Sequence, residues 1–302
     1  MDDLVAVGVD AGGTATRALV SSNGHPAGAA EGAGANATTL GTDDAADAIL
    51  TVVRKALAHR RPAAVVVGAA GAGRRSVAAE LEELIAAAFP AARVSVGDDA
   101  AIALRAAIPA GPGVVLIAGT GSIAYAENGE RRARIGGLGY LAGDEGSAYA
   151  IGLAAVRLYG RVLDGRARAD ETTDLVARAL DAPDRDAYLD ALYDVPHAPA
   201  TIAALAPGII AFAGKGNRAA AKIVQQAGLE LGELVKSAAR AVGLHEASPR
   251  VALAGGLLTE NSLLTFLLET RIVGDLPGAE ILRGRDGAAT GALRLAEALA
   301  AQ

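Results

Sequence analysis

The 302-residue chain has no cysteine and few aromatic residues. Without cysteine it cannot form disulfides, thiolate zinc sites or iron–sulfur clusters, and it has no cysteine nucleophile. Any metal ion must therefore take oxygen or imidazole ligands. Aromatic residues make up only 3% of the chain and the formal net charge is -6, so neither base-stacking platforms nor a basic phosphate-binding face is expected. The composition argues against a nucleic-acid partner.

Long hydrophobic runs are also missing. The apolar stretches, such as residues 114–118, are far shorter than the roughly 20 residues that span a bilayer. The first residues lack the positive segment of a signal peptide. These features predict a cytoplasmic protein with no membrane partner. At roughly 150 residues per domain, the length gives a soft expectation of two domains.

Residues 1–112 predict an α/β domain. An apolar run at 4–10, a glycine turn, a second apolar run and an Asn-Gly turn together predict a three-stranded antiparallel meander. Thr42 is expected to cap a helix, and a buried strand at 63–68 completes a β-α-β crossover. The other elements predicted for this domain are helices at 74–88 and 98–107 and a strand at 93–96.

Residues 113–287 predict a second α/β domain that begins in the same way, with an apolar strand, a glycine turn, another strand and an Asn-Gly turn. From about residue 145 to 242 the pattern is helical, so this domain is helix-rich. A strand at 250–254 and a helix at 262–272 follow. The last helix, 288–302, is expected to pack back on the first domain.

Two glycine-rich loops at strand ends are candidates for phosphate binding. Residues 10–14 (Asp-Ala-Gly-Gly-Thr) follow the first strand, and residues 119–122 (Gly-Thr-Gly-Ser) follow the strand that opens the second domain. A carboxylate leaving a sheet can hold a hydrated cation, and small residues let backbone N–H groups approach a phosphate. Each loop alone could be a plain hairpin turn. Two such loops opening two similar units favour the phosphate-binding interpretation.

Other nucleotide motifs fit less well. Gly119, Gly121 and Ala124 match the spacing of the dinucleotide fingerprint, but a strand follows where that motif needs a helix. The P-loop pattern GxxxxGK followed by Ser or Thr is absent from the sequence. Gly255 and Gly256 follow a third strand, where they could pass beneath an adenosine or simply form a turn.

Two acidic pairs stand at predicted helix starts. Asp98 and Asp99 follow a strand, and Asp144 and Glu145 end the glycine-rich stretch 136–147. Acids at these positions commonly cap a helix. A carboxylate at a strand end is also where a general base for a hydroxyl would be needed, and a glycine-rich stretch beside paired carboxylates suits a site that hydrogen-bonds several hydroxyls.

With these residues in place, the chain resembles the sugar-kinase side of the actin-like ATPase superfamily, and within it the N-acetylglucosamine kinase and BadF-type ATPase family. The matching segments are 10–17, 34–36, 98–101, 119–122, 137–149 and 254–256. The combination of GTGS and GDEGSAY is the most specific part of this resemblance.

The resemblance implies two ribonuclease-H-like domains with a cleft between them that binds ATP, Mg²⁺ and a sugar. It implies that Asp10 supports the magnesium ion and that Asp99 is the catalytic base. The residues it implies for ATP are Gly12, Gly13, Thr14, Arg17, Gly119, Thr120, Gly121, Gly255 and Gly256. The residues it implies for the sugar are Asn36, Asp99, Gly137, Asp144 and Glu145.

Two departures from the family pattern bear on the acceptor. Related N-acetylglucosamine kinases tend to carry Asn after GTGS and Trp in the glycine stretch, where this chain has Ile123 and Leu138. The altered positions are similar to those of actinobacterial glucosamine kinases and predict an acceptor without the acetyl group. The family's cysteine-ligated dehydratase activators and the zinc-containing repressor-type sugar kinases are excluded, because the chain has no cysteine.

We therefore predict an ATP- and magnesium-dependent kinase that phosphorylates the 6-hydroxyl of glucosamine. One alternative is N-acetylglucosamine as the acceptor, and another is an ATP-gated sensor or switch without a sugar acceptor. A sugar-binding regulator is disfavoured, since no basic helix-turn-helix segment precedes Leu4. A homodimer is left open.

Overall fold

The computed structural model describes residues 3–193, 199–284 and 286–302. It divides into two compact units: the first unit consists of residues 1–111 and 283–302, and the second unit of residues 112–282. The strands in chain order are β1 (Val5–Ala11), β2 (Ala15–Ser22), β3 (His25–Ala33), β4 (Ala64–Ala69), β5 (Arg93–Asp98), β6 (Gly113–Ala118), β7 (Ser122–Asn128), β8 (Arg131–Gly136), β9 (Arg250–Ala254) and β10 (Glu280–Arg283).

The helices cover the sheets and fill the long insertion of the second unit. In chain order they are α1 (Ala37–Leu40), α2 (Thr42–Leu57), α3 (Arg75–Ala88), α4 (Asp99–Ala107), α5 (Ala148–Leu163), α6 (Glu171–Ala179), α7 (Arg185–Tyr193), α8 (Pro199–Ala203), α9 (Ala206–Gly214), α10 (Arg218–Ala241), α11 (Leu263–Asp275) and α12 (Ala288–Ala300).

The first unit is built on a sheet of order β3-β2-β1-β4-β5. Strands β1, β2 and β3 form the predicted antiparallel meander, and β1, β4 and β5 run parallel. Strand β1 is apolar on both faces because both are covered. Val7 and Val9 belong to the core shared with α2, whereas Ala6 belongs to a smaller apolar cluster with Ala296 of α12.

Helix α12 packs closely on β1 and α4 within the first unit, and two glycines allow this close approach. A Cβ at Gly8 of β1 would clash with the backbone of Leu293, and a Cβ at Gly291 would clash with the carbonyl oxygen of Ile102 in α4. Neither contact leaves room for any side chain larger than hydrogen. The C-terminal helix therefore lies backbone to backbone on β1 and α4.

The second unit repeats the strand order, as β10-β9-β6-β7-β8. Strands β6, β7 and β8 are antiparallel neighbours, while β6 and β9 run parallel. Helices α5 to α10 occupy the chain between β8 and β9. The largest buried cluster of the described residues joins these helices to β6 and β9.

Some local features differ from the sequence expectations. Gly41, and not Thr42, is the N-cap of α2, because a separate short helix α1 ends there and the chain enters α2 through a positive φ of 85° that suits glycine. The sequence pattern did not predict α1 or β10. Each has only four residues, too few to produce a readable hydrophobic period.

No single helix among the described residues is long and apolar enough to cross a membrane. One pair, Pro199–Gly214 with Arg218–Ala241, meets the length and composition requirement only as two segments bent by 113°.

Candidate functional site

In the first unit, the loop after β1 is a tight turn held by backbone bonds. The Gly12 N–H donates to the Ala15 carbonyl at 3.0 Å, and the Ala35 N–H donates to the Gly12 carbonyl at 2.9 Å. Gly13 and Thr14 at the tip are exposed. The turn geometry thus fixes the loop while its tip stays accessible to a ligand.

Asp10 is the penultimate residue of β1. In the sheet register it lies opposite Arg17 of β2 and Gly68 of β4. Burial raises the pKa of the Asp10 carboxyl, and the positive charge of Arg17 partly opposes that rise. Arg17 is itself engaged, since its Nε donates to a Glu31 oxygen at 2.6 Å and its terminal nitrogen also pairs with Glu31. Asp10 is therefore a half-buried carboxylate with incomplete charge compensation.

Asn36 is brought to the same loop by close glycine packing. A Cβ at Gly34 would clash with the Gly13 carbonyl, and a Cβ at Gly71 would lie 3.0 Å from the Asn36 Oδ1. That Oδ1 accepts from the Thr38 N–H at 2.8 Å and caps α1. The amide nitrogen of Asn36 remains on the side of Gly13, 3.9 Å from where a Cβ there would stand.

The paired acids after β5 have different positions. The Asp98 Oδ1 accepts from the Ala100 N–H at 2.9 Å and caps α4, whereas Asp99 is the first helical residue and is half-buried. The parallel register places Ala11, Ala69 and Asp98 side by side across β1, β4 and β5. Neighbouring strands are about 4.8 Å apart, so this end of β5 shares one sheet edge with the Asp10 loop.

In the second unit, the Gly-Thr-Gly-Ser loop 119–122 is anchored to the start of α5. The Gly119 N–H donates to the Gly121 carbonyl at 2.9 Å, the Ala148 N–H donates to the Gly119 carbonyl at 2.9 Å, and the Tyr149 N–H donates to the Thr120 carbonyl at 3.2 Å. Thr120 is exposed at the tip. The carbonyls of Gly119 and Thr120 thus face the start of α5.

Asp144 packs directly against this loop. A Cβ at Gly121 would lie 2.7 Å from the Asp144 Oδ1, and that oxygen accepts from the Ser122 N–H at 3.2 Å. Burial raises the pKa of Asp144, the Ser122 hydrogen bond and the Arg134 charge lower it, and the Glu145 charge raises it further. Asp144 therefore has a structural contact with the loop, and its predicted contact with a sugar stays a prediction.

Gly255 and Gly256 lie at the same sheet edge as the 119–122 loop, because β9 runs parallel to β6. Gly255 has a φ of +95°, and a Cβ there would clash with the Ala118 carbonyl. The Leu257 N–H donates to that carbonyl at 3.1 Å. A Cβ at Gly256 would have no atom within 4 Å, so the surroundings of Gly256 are open.

A cavity of about 370 Å³ adjoins Gly256. Its walls include Pro207 and Ile210 of α9 and residues 259–263 before and at the start of α11. The sequence pattern did not predict this cavity. The only sequence signal for its α9 wall is the short apolar segment before the glycines at 214 and 216.

A second cavity, of about 450 Å³, is lined in part by the glycine-rich stretch 136–147. Glu145, which the sequence predicted as a sugar ligand, lines it together with Tyr140, Tyr149, Arg157 and Glu230. The rings of Tyr140 and Tyr149 meet edge to face, with centroids 5.5 Å apart. We call this the Glu145 cavity.

The two positions used to predict the acceptor lie elsewhere. Leu138 is 70% exposed, and Ile123 lies beside Gly137. Neither residue is part of the Glu145 cavity wall. Gly137 itself has a φ of +63° and lies against Arg134. The substitutions at 123 and 138 therefore bear on the acceptor less directly than Glu145 does.

Comparison with known proteins gives consistent results. The profile of the BadF/BadG/BcrA/BcrD ATPase family matches residues 7–296. An N-acetylmuramic acid/N-acetylglucosamine kinase of Clostridium acetobutylicum is 30% identical over 237 residues, which cover 77% of this chain and 76% of the relative. An N-acetyl-D-glucosamine kinase of Dictyostelium discoideum is 28% identical, with 98% of both chains covered.

Solved structures have the same architecture. A candidate N-acetylglucosamine kinase of Chromobacterium violaceum superposes with a TM-score of 0.75 at 29% identity, over 97% of this chain and 98% of that one. A ROK family glucokinase of Streptomyces griseus gives a TM-score of 0.57 at 20% identity, over 97% and 99% of the two chains, and shows likeness of fold alone. The predicted α/β fold with two actin-like ATPase domains is confirmed.

Proposed function

Because this chain belongs to the BadF/BadG/BcrA/BcrD ATPase family, we propose that it is an ATP-dependent sugar kinase whose acceptor is glucosamine. The observation that carries the proposal is the pair of glycine loops at equivalent strand ends of two sheets with the same strand order. Both loops have exposed tips, and the loop of the first unit also follows a carboxylate. Phosphoryl transfer needs positioning and charge neutralisation more than covalent participation of the protein.

The second unit supplies the proposed nucleotide site. Gly119 and Gly256 have no positive φ, and a Cβ at either would have no atom within 4 Å, so the packing of the described residues does not require glycine at either position. Close approach of a ligand to the backbone would require it. We assign the phosphates to the 119–122 loop and the adenosine to Gly255, Gly256 and the adjoining cavity of about 370 Å³.

Asp10 fits a magnesium ion. Mg²⁺ is bound by one or two carboxylates together with water and substrate phosphates, so no cluster of protein ligands is needed. Indeed, the described ranges hold no group of three or more His, Cys, Asp or Glu side chains that could bind a metal. Asp10 would hold the ion, which neutralises phosphate charge when bound. A nearby cation would also supply the charge compensation that Asp10 lacks.

Asp99 is the proposed general base. Its carboxylate takes the proton of the acceptor 6-hydroxyl as the hydroxyl oxygen bonds to the γ-phosphorus, while the bond between that phosphorus and the leaving oxygen of ADP breaks. Asp98 caps α4. Asp99 is assigned to the reaction because it is the half-buried first residue of α4, directly after the end of β5 that shares a sheet edge with the Asp10 loop.

Glucosamine as the acceptor is supported by the charges of the Glu145 cavity. Glu145 and Glu230 contribute two carboxylates to its wall and Arg157 one cation. A protonated amine pairs with such a wall, whereas an acetamide has no charge to offer. N-acetylglucosamine is the second candidate, favoured by the names of the Clostridium and Dictyostelium relatives.

The test is ADP release at fixed ATP and Mg²⁺ with glucosamine, N-acetylglucosamine, glucose or no sugar. We expect the highest kcat/KM for glucosamine. Glu145→Gln should reduce the preference for glucosamine over glucose about tenfold, since a charged hydrogen bond is replaced by a neutral one. The matched control is Glu233→Gln, a residue of α10 outside the cavity wall.

Each result has a defined meaning. A higher kcat/KM for N-acetylglucosamine would overturn the acceptor and leave the kinase in place. ADP release that no sugar stimulates would instead favour the ATP-gated switch. An equal loss in Glu145→Gln and Glu233→Gln would remove Glu145 from acceptor recognition.

A further inference from the structure

A third cavity, of about 430 Å³, lies at the C-terminal end of α5 and against α7. Four arginines line it: Arg157, Arg161, Arg166 and Arg185. Asp164 is the one acidic residue among its described lining residues. A concentration of positive charge in a chain of net charge -6 calls for an explanation, since like charges gathered in one pocket repel each other.

The charges within this arginine cavity do not balance. The Asp164 carboxylate pairs with Arg166 and lies 3.9 Å from the Arg185 Nε. Arg157 and Arg161 have no carboxylate within ion-pair distance among the residues that the structure describes. The C-terminal dipole of α5 favours one cation in its last turn, which accounts for Arg161 in part. The remaining excess of positive charge is available to an anion.

A tyrosine joins the two helices that form the wall of this cavity. Tyr188 of α7 donates from its hydroxyl to the Val156 carbonyl of α5 at 2.9 Å, and a Cβ at Gly160 would lie 3.0 Å from that hydroxyl oxygen. The rings of Tyr159 and Tyr188 also meet edge to face at 5.6 Å. The close approach of α7 to α5 therefore depends on glycine at 160, and it brings Arg185 of α7 into the same cavity wall as the arginines of α5.

We propose that the arginine cavity is a binding site for a small polyanion bearing phosphate groups. Guanidinium groups bind phosphate oxygens through paired N–H donors and keep their charge at all relevant pH values. Leu163, Leu189 and the Tyr188 ring supply apolar wall for the uncharged part of a phosphate ester. Inorganic pyrophosphate and a sugar phosphate present the same chemistry, and the experiment separates them.

The first experiment is a calorimetric titration of the intact protein with inorganic pyrophosphate, after the nucleotide site has been saturated with a non-hydrolysable ATP analogue. We expect residual binding that weakens with salt. Arg161→Gln and Arg185→Gln should each weaken it about tenfold. Both residues line this cavity and not the Glu145 cavity. The matched control, Arg168→Gln, changes an exposed arginine outside the cavity wall and should bind as the unchanged protein does.

A gain of affinity provides the second measurement, because misfolding cannot produce it. Asp164→Asn removes the carboxylate that engages two of the arginines, so pyrophosphate should bind several-fold more tightly. Repeating both titrations with glucose 6-phosphate shows whether an ester fits as well as the bare anion. Tighter binding of the ester identifies a sugar phosphate as the better ligand, and tighter binding of pyrophosphate identifies the inorganic anion.

The proposal fails if pyrophosphate and glucose 6-phosphate both leave no heat of binding once the nucleotide site is filled. It also fails if Arg168→Gln weakens binding as much as Arg161→Gln, or if Asp164→Asn weakens it. None of these titrations requires turnover. A negative result here therefore leaves the proposed kinase reaction standing, and an inactive kinase leaves this test intact.

Discussion

The two units have the same strand order but place different side chains at the corresponding strand end. In the first unit, Asp10 pairs across the sheet with Arg17 and Gly68. The matching position in the second unit is Ile117, which pairs with Ile123 and Ala254. The same sheet edge therefore carries a carboxylate in one unit and an aliphatic side chain in the other. In the proposed function, the repeated architecture sets the positions of the two phosphate loops, and the Asp10 side chain makes only the loop of the first unit suited to a cation.

The second unit has its own carboxylate, but it comes from a different part of the chain. Asp144 reaches the 119–122 loop from the glycine-rich stretch and accepts from the Ser122 N–H. In the first unit the corresponding neighbour of the loop is the neutral Asn36. The units also differ in what separates their third and fourth strands, α1 and α2 in the first and α5 to α10 in the second. The long insertion supplies walls to all three cavities described above.

The largest expected effect is the loss of activity when Asp99, the proposed base in the first unit, is replaced. Asp99→Asn should lower kcat about 10²- to 10⁴-fold, because the acceptor hydroxyl loses its proton acceptor. The KM for ATP should change little. The measurement is steady-state kinetics with glucosamine, after circular dichroism has shown that the variant is folded.

Asp98→Asn is the matched control for Asp99. Asparagine caps a helix about as well as aspartate, so α4 should be retained and activity should stay within a few-fold of the unchanged protein. If Asp98→Asn inactivates the enzyme while Asp99→Asn does not, the two roles are exchanged. If both variants remain active, neither acid at the start of α4 is the base.

A pair of neighbouring glycines tests the loop chemistry of the second unit. Gly255→Ala should destabilise the protein by about 2 to 4 kcal/mol, since it combines a positive φ with a clash against the Ala118 carbonyl. Gly256→Ala has open space for its methyl group and should leave stability nearly unchanged while raising the KM for ATP. Urea unfolding and ATP kinetics measure the two effects. An unaltered KM for ATP in Gly256→Ala would argue against the nucleotide contact.

The smallest expected effect concerns the carboxylate that distinguishes the first unit. Burial raises the pKa of Asp10 above its ordinary value of 3.8, so the folded protein binds a proton that the unfolded chain has already lost. The contribution of the Asp10 carboxyl to the free energy of unfolding is therefore fully present below pH about 4, and it is lost as the pH rises through the raised pKa. Without Mg²⁺ and ATP, Asp10→Asn should raise Tm by a few degrees at pH 7.

The pH dependence supplies the control for that prediction. The Tm difference between Asp10→Asn and the unchanged protein should disappear below pH about 3.8, where the carboxyl is protonated in both folded and unfolded states. Thermal unfolding monitored from about pH 3 to about pH 7 provides the comparison. If the Tm of Asp10→Asn instead lies below that of the unchanged protein at neutral pH, and this deficit disappears in acid, then the charge of Asp10 stabilises the fold.

Much of the fold could be predicted because its signals are local. The apolar strand 113–118 and its glycine turn, the meander before it, and the helical stretch after residue 145 are all read from periods of two or 3.6 and from turn residues. The four-residue strand Glu280–Arg283 could not be predicted, since it is too short for a readable hydrophobic period and is recognised only by its pairing with β9. The walls of the Glu145 cavity were missed because they come from segments distant in the chain. Glu145 was predicted from a motif, but Tyr149 and Glu230 meet there only through the packing of α5 and α10.

The sequence by itself determined the two glycine loops, the carboxylate at the end of β1 and the acid at the start of α4, because strand, turn and capping preferences depend on neighbouring residues. Tertiary structure decided which groups meet. It brought Asp144 against Gly121, and it gathered Arg161 and Arg185 from two helices into one cavity wall. Such contacts join residues far apart in the chain, and they arise only when apolar faces have packed together.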